Sequence, residues 1–221
     1  MVAVVTLTGL GLNLSSIIVD IAGGSLFVCA LMAALAVLLL GLAVPVTASF
    51  IIAAVIVAPA LTELGVERLA AYMFIFYYAV LSEVSPPTAL SAFAAAAITK
   101  GNAFRTMMLT WKYTLPAFLV PFAFVLTENG EGLLLQGSVG TVLLAFAVSA
   151  LAVAGLAVAT GAWLVGPARI PERVLCGIAG LILLYLEPLW IGIGLAVLVL
   201  GVAVHVIGRR QAPSGLRSAA P

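Results

Sequence analysis

The chain has 221 residues, 65% of them hydrophobic, with nine Lys/Arg, eight Asp/Glu and a net charge of +1. Soluble domains carry about one charged residue in four, so a mean hydropathy of +1.33 leaves too little polar side chain to cover a water-facing surface and excludes a soluble fold. No basic stripe exists to replace counterions along a phosphate backbone, which excludes nucleic acid as a partner.

A charge at mid-bilayer is costly, so the charged residues mark span ends or functional points. The chain opens directly in an apolar run at 2–7, without the charged n-region and small-residue cleavage site of a signal peptide, which predicts a beginning in mid-protein. An apolar stub over 1–14 leads into a turn or short helix through Ser15, Ser16 and Asp20 to Gly23-Gly24. Between Asp20 and Glu63 lie 42 uncharged residues, and roughly 20 helical residues cross the hydrocarbon, so this run crosses twice or enters and turns back. It reads as an apolar pair, 25–41 and 47–63. A second pair follows at 70–83 and 87–98, then spans at 104–126, 139–164 and 189–208, with a short or tilted one at 171–187. Barrel strands would alternate polar and apolar residues, which these continuous runs do not, and helices are the other way to satisfy backbone groups in lipid. The expected fold is therefore an all-α polytopic membrane protein.

Two interruptions carry the functional argument. Gly41-Leu-Ala-Val-Pro45-Val-Thr47-Ala-Ser49 and Ser82-Glu83-Val-Ser85-Pro86-Pro87-Thr88 place prolines and hydroxyls inside apolar runs. Proline lacks the N–H and crowds the preceding turn, so each segment should break its helix at membrane depth. Such breaks survive there only when buried in protein or lining a wet cavity. Freed carbonyls and Ser/Thr oxygens are hard ligands suited to Na⁺, and helix N-termini after Pro45 and Pro86 would present N–H groups to an anion. Glu83 fits either a proton or cation ligand or a residue facing water at a cavity mouth. Paired interruptions of this kind match secondary transporters.

At these residues the chain resembles a known family. Val5-Thr-Leu-Thr-Gly-Leu-Gly-Leu-Asn-Leu-Ser-Ser16, the 41–48 segment, Val57-Ala-Pro-Ala-Leu61 with Leu64-Gly65, and Phe76-Tyr-Tyr-Ala-Val-Leu-Ser-Glu-Val-Ser-Pro-Pro-Thr-Ala-Leu90 are similar to the large membrane subunit of TRAP transporters, most of all to the fused permeases that work with TAXI-type binding proteins. The resemblance implies a second inverted repeat of an elevator-type secondary transporter over 1–127, with a re-entrant hairpin tipped at 41–47 and a helix broken at Ser85-Pro86-Pro87. It implies additional C-terminal transmembrane helices over 128–208 and a polar cytoplasmic tail at 209–221. The implied activity is sodium-coupled uptake of organic acids, dicarboxylates among them, in a bacterial or archaeal inner membrane. The substrate would be delivered by a periplasmic TAXI-type solute-binding protein. Carried onto matching positions, the ion ligands are Gly41, Val44 and Thr47 with Ser82, Ser85 and Pro86, and Ser49 and Thr88 would touch substrate. The family more often has Gly-Met-Gly-Leu-Pro-Thr-Thr at the first break and Thr-Pro-Pro at the second. Here Ala43 and Val46 remove one glycine and one hydroxyl, whereas Ser85 keeps the oxygen. The first repeat would precede residue 1, so the chain is expected to be a partial permease that works with its remaining N-terminal part or a small membrane subunit. The resemblance implies sodium as the coupling ion, with protons the alternative, and no other cofactor.

No Gly-x-Ser-x-Gly, His-Glu-x-x-His or phosphate-loop pattern is present, which argues against an enzyme. Cys29 and Cys176 read as small apolar packing residues, and the one histidine, His205, reads as an interfacial residue without a paired carboxylate. The alternative function is a non-transporting membrane scaffold or degenerate permease remnant. The bias of Lys/Arg toward cytoplasmic loops places the clusters Lys100/Arg105/Lys112, Arg169/Arg173 and Arg209/Arg210/Arg217 together on the cytoplasmic side. Glu128, Asn129, Glu131 and Glu187 then face outward, Asn129 being accessible from outside and Ala103 not.

Overall fold

The computed structural model describes residues 10–211, and within them all regular structure is helical. In chain order the helices are α1 (Leu10–Ile21), α2 (Leu26–Ala43), α3 (Val46–Glu63), α4 (Arg68–Leu81), α5 (Leu90–Thr99), α6 (Ala103–Leu126), α7 (Val139–Gly161), α8 (Ile170–Leu183) and α9 (Pro188–Gln211), with 3₁₀ turns at Ser82–Val84 and Glu128–Leu134. Helices α2, α3, α6, α7 and α9 are long and apolar enough to cross a membrane, and large apolar side chains such as Leu39, Phe104, Leu143 and Val199 are exposed along them. The chain is an all-α, multi-pass membrane protein. The first nine residues of the expected stub, and the expected tail past 211, lie outside the described residues.

The chain forms two compact units, residues 1–146 and 147–221. The first holds α1 to α6 and the start of α7. Its core is made by Val37 of α2, Leu61 of α3, and Phe74 and Ile75 of α4, all fully buried. Small residues at Ala30, Ala33, Ala34, Ala53 and Ala60 are buried between these helices. Without a hydrophobic drive between helices in lipid, close packing of such small side chains is what holds them together. Polar caps set the helix starts: Glu67 Oε2 accepts the Ala70 N–H at 3.1 Å, and Asn102 Oδ1 accepts that of Arg105 at 2.9 Å. Helix α6 contains Pro116 and Pro121. Beside the second, the Tyr78 hydroxyl of α4 donates to the Phe118 carbonyl at 2.5 Å, and Phe74 meets Phe122 edge-on at 5.5 Å between centroids.

The breaks fall at the expected residues, with one shift. Helix α2 stops at Ala43 and α3 starts at Val46. At the second break, α5 begins at Leu90, three residues later than the sequence predicts. The physical reason is the Pro86-Pro87 pair: the residue before a proline avoids the α region, Ser85 is extended (φ −93°, ψ 137°), and neither proline can donate a helical bond.

The second unit comprises residues 147–161 of α7 together with α8 and α9. Helices α7 and α8 approach closely, since a Cβ on Gly155 would lie 2.7 Å from the Cys176 carbonyl oxygen and one on Gly180 would lie 2.7 Å from that of Ala152. Arg173 closes the end of α7 by donating Nε and Nη2 to the Ala159 carbonyl at 3.0 and 2.8 Å. Helix α8 has 14 residues, about 21 Å at 1.5 Å per residue, short of the hydrocarbon thickness. It nonetheless pairs antiparallel with α9, for Gly194 sits against Leu183 while His205 bonds Glu172. Arg169 and the backbone of Arg209 therefore lie toward the same end of the hairpin, as the charge pattern predicts.

Two predictions arise here. Asn129 is half-buried and Glu128 exposed, so a cysteine at Glu128 is the better reporter of the outward face: it should react with an impermeant thiol reagent in intact cells, and one at Ala103 should not. The reverse labelling pattern would overturn the orientation. Leu135 is 79% exposed and held at φ 62°, a conformation that costs a side-chain-bearing residue about 1–2 kcal/mol. Leu135→Gly should therefore raise stability by about 1 kcal/mol, read as a higher melting temperature in detergent; a fall would contradict the strain.

Candidate functional site

The two breaks meet. Helix α2 ends against the turn that follows α4, and Gly41 packs so closely on Ser82 that an added Cβ would lie 2.5 Å from the Ser82 Cβ. Glycine fits there because the Ser82 side chain occupies the space that a Cβ would take. Pro45 has no N–H, so the Gly41 carbonyl four residues earlier has no helical donor. Pro87 does the same to the Glu83 carbonyl, which instead accepts the Ser91 hydroxyl at 3.0 Å.

Each buried hydroxyl of the site spends its proton on a backbone carbonyl. Ser82 Oγ donates to Ala79 O at 2.6 Å, Ser85 Oγ to Leu81 O at 2.8 Å, and Ser49 Oγ to Val46 O at 2.9 Å. The oxygen lone pairs then face outward from these bonds as acceptors, which suits a cation. Electrostatics agree, because α2 and α4 both bring C-terminal ends, with their partial negative charge, to this contact. The N-terminal ends of α3 and α5 start beyond the breaks. At the second of these, Ala89 is buried and left-handed at φ 34°, ψ 52°, and its N–H donates to the Ser85 carbonyl at 3.0 Å.

Of the sequence-predicted residues, the fold brings Gly41 and Ser82 into contact. Ser49, Ser82 and Ser85 are buried, Val44, Pro86 and Thr88 are half-buried, and Thr47 is exposed in the first turn of α3. Glu83 is half-buried beside the break. Both cysteines are free and buried. One expectation fails. His205 is not an interfacial residue lacking a carboxylate: it is buried, with Nδ1 2.7 Å from Glu172 Oε2. Helix α9 turns His205 inward, and the antiparallel hairpin sets it against the first turn of α8. An ionisable residue inside an apolar span is itself the signal that could have prompted a search for such a partner.

Interrupted helices brought together inside a multi-pass helical protein are the arrangement found in membrane transport components. The family model for the DctM component of the tripartite ATP-independent periplasmic transporters matches residues 1–129. The chain belongs to that family, and is a permease component of TRAP-type solute transport in the inner membrane. Comparison with curated proteins and with solved structures gives no match.

Proposed function

We propose that the chain supplies one ion-binding half of a sodium-coupled TRAP permease of the fused TAXI type, taking up organic acids handed over by a periplasmic TAXI-type binding protein. The observation that carries this reading is the contact of Gly41 with Ser82, which joins the two proline breaks into one oxygen-rich locus. Depth supports it as well. Helices α4 and α5 have 14 and 10 residues, about 21 and 15 Å, so together they make one broken crossing of a roughly 30 Å core. The break between them then lies near mid-membrane, and the α2–α3 turn beside it is the tip of a re-entrant hairpin. Gly41, Val44, Thr47, Ser82, Ser85 and Pro86 form the ion locus from side-chain and carbonyl oxygens. Ser49 and Thr88, next to the N-terminal ends of α3 and α5, border the carboxylate of the substrate. Residues 1–127 are the transport core, and 128–208 the added helices. The remaining permease sequence, or a small membrane subunit, completes the path.

The test is uptake by the complete transporter in proteoliposomes, with binding protein present and sodium varied. Ser85→Ala and Thr47→Ala each remove one oxygen ligand. Each should raise the sodium concentration for half-maximal uptake about 5–10-fold, the equivalent of roughly 1–1.4 kcal/mol, with little change in abundance. Thr62→Ala, whose hydroxyl only caps Ala58 and Pro59 carbonyls, should change neither. Unaltered sodium dependence in both site variants would remove these side chains from the ligand set, and a complete transporter with no sodium-dependent binding would favour a scaffold instead.

A further inference from the structure

Between α7 and α8 the chain runs Ala162-Trp-Leu-Val-Gly-Pro-Ala168, with no charged residue before Arg169. Loops that face water are polar, yet here Trp163, Val165 at 70% and Ile170 at 74% are exposed. The backbone closes on itself. The Leu164 N–H donates to the Gly166 carbonyl at 3.1 Å and the Ala168 N–H to the Ala162 carbonyl at 2.9 Å, which sets Trp163 opposite Pro167 in an isolated antiparallel bridge. At the end of α7, Arg173 satisfies the Ala159 carbonyl. An apolar loop whose backbone groups pair within the protein fits the boundary between headgroups and hydrocarbon rather than open water.

The α8–α9 hairpin sets the depth of this loop. At its far end Tyr185 and Trp190 meet edge-on at 6.1 Å between centroids, an aromatic pair of the kind that marks a membrane interface. Helix α9 carries the backbone of Arg210 about 30 Å from Trp190, one hydrocarbon thickness. Helix α8, with 14 residues, reaches only about 21 Å. Because Glu172 sits level with His205, Ile170 lies about 5–9 Å inside the boundary that Arg210 marks. A short segment is accommodated by local thinning of the bilayer, which draws headgroups inward. Arg169 is exposed at that point and makes no ion pair among the described residues. The acid closest to it in sequence, Glu172, is committed to His205 and to the Arg169 backbone N–H. A guanidinium at this depth therefore calls for an anion from outside the chain.

We propose that the 162–170 loop is a lipid-binding site in the leaflet on the Arg169 side, and that its ligand is an anionic phospholipid. The Arg169 guanidinium holds the phosphodiester through paired N–H donors. Trp163 lies at the level of the glycerol backbone, where amphipathic rings settle, and Val165 and Ile170 meet the acyl chains. The bond from Ala168 to Ala162 brings the Trp163 and Arg169 ends of the loop together, so one lipid touches both. A zwitterionic lipid offers the same phosphate but sets its own cation beside Arg169, and binds less well.

The chain has three tryptophans, so Trp111→Phe with Trp190→Phe leaves Trp163 as the sole emitter. In nanodiscs of mixed phosphatidylglycerol and phosphatidylcholine, phosphatidylglycerol brominated in its acyl chains should quench that emission more than brominated phosphatidylcholine at the same mole fraction. Converted to occupancy, the anionic lipid should be enriched about 2–5-fold beside Trp163, and Arg169→Gln should remove the enrichment. Equal quenching by the two lipids, quenching by neither, or the same enrichment in Arg169→Gln would overturn the proposal. Inorganic phosphate added to the nanodiscs should leave the enrichment in place; its loss would assign the site to the free anion instead. Native mass spectrometry of the chain with all its tryptophans, taken from the same lipid mixture into detergent, supplies a second readout should the single-tryptophan form fold poorly. The wild-type chain should retain an anionic lipid that Arg169→Gln loses, and equal retention would equally overturn the proposal.

Discussion

Gly41→Ala is expected to abolish sodium-driven uptake and lower the yield of folded protein. The new methyl carbon would lie 2.5 Å from the Ser82 Cβ, about 1 Å inside ordinary contact. Ser82 cannot turn aside, because its Cβ moves only with the backbone and its hydroxyl is held by the Ala79 carbonyl at 2.6 Å. The end of α2 must then separate from the turn after α4, at the roughly 1–3 kcal/mol typical of overpacking. The separation falls at the locus where both breaks present their oxygens. Removing the obstacle from the other side tests the cause, for the Ser82→Gly change deletes both the Cβ and the hydroxyl. The double variant Gly41→Ala/Ser82→Gly should regain most of the lost melting temperature while keeping weakened sodium dependence. Wild-type melting and uptake in Gly41→Ala would dismiss the contact, and full recovery of sodium dependence in the double variant would dismiss Ser82 as a ligand.

The break positions were legible because proline acts on its own neighbours. Pro45 and Pro86-Pro87 remove donors and restrict the preceding residue whatever the rest of the chain does, so the helix ends at Ala43 and Leu81 follow from local chemistry. The late start of α5 was not read, because the left-handed turn at Ala89 depends on the tertiary setting and alanine carries no signal for it. Span positions were legible through the scarcity of charge. The meeting of Gly41 with Ser82 and of Glu172 with His205 was not, since both join residues dozens of positions apart and neither follows a spacing rule. For Glu172 the local signal pointed elsewhere: an acid next to Pro171 in the first turn of a helix reads as a capping residue, and it does accept the Arg169 N–H. Its second bond, to α9, is added by the fold.

Gly130→Ala should cost more stability than Gly41→Ala while leaving ion recognition intact in whatever protein survives. Gly130 lies in the 3₁₀ turn Glu128–Leu134, tucked against the end of α6. A Cβ there would lie 2.6 Å from the Ala123 carbonyl carbon and 2.7 Å from the Phe124 Cα. Every obstacle is helical backbone, so no rotamer change relieves it. The Ala123 carbonyl also accepts the Thr127 hydroxyl at 2.6 Å, a bond that would break as the turn lifts away. Buried Phe124 and Val125 would lose part of their cover at the same time. Together these effects predict a loss of about 3 kcal/mol or more, read as a fall in melting temperature and in membrane abundance. Uptake per folded molecule should keep its sodium dependence, because the atoms a Cβ on Gly130 would meet are backbone of Ala123 and Phe124, neither of which is among the oxygens proposed for the ion locus. Normal abundance with altered sodium dependence would invert this assignment and place the 128–134 turn, rather than the two proline breaks, at the ion locus.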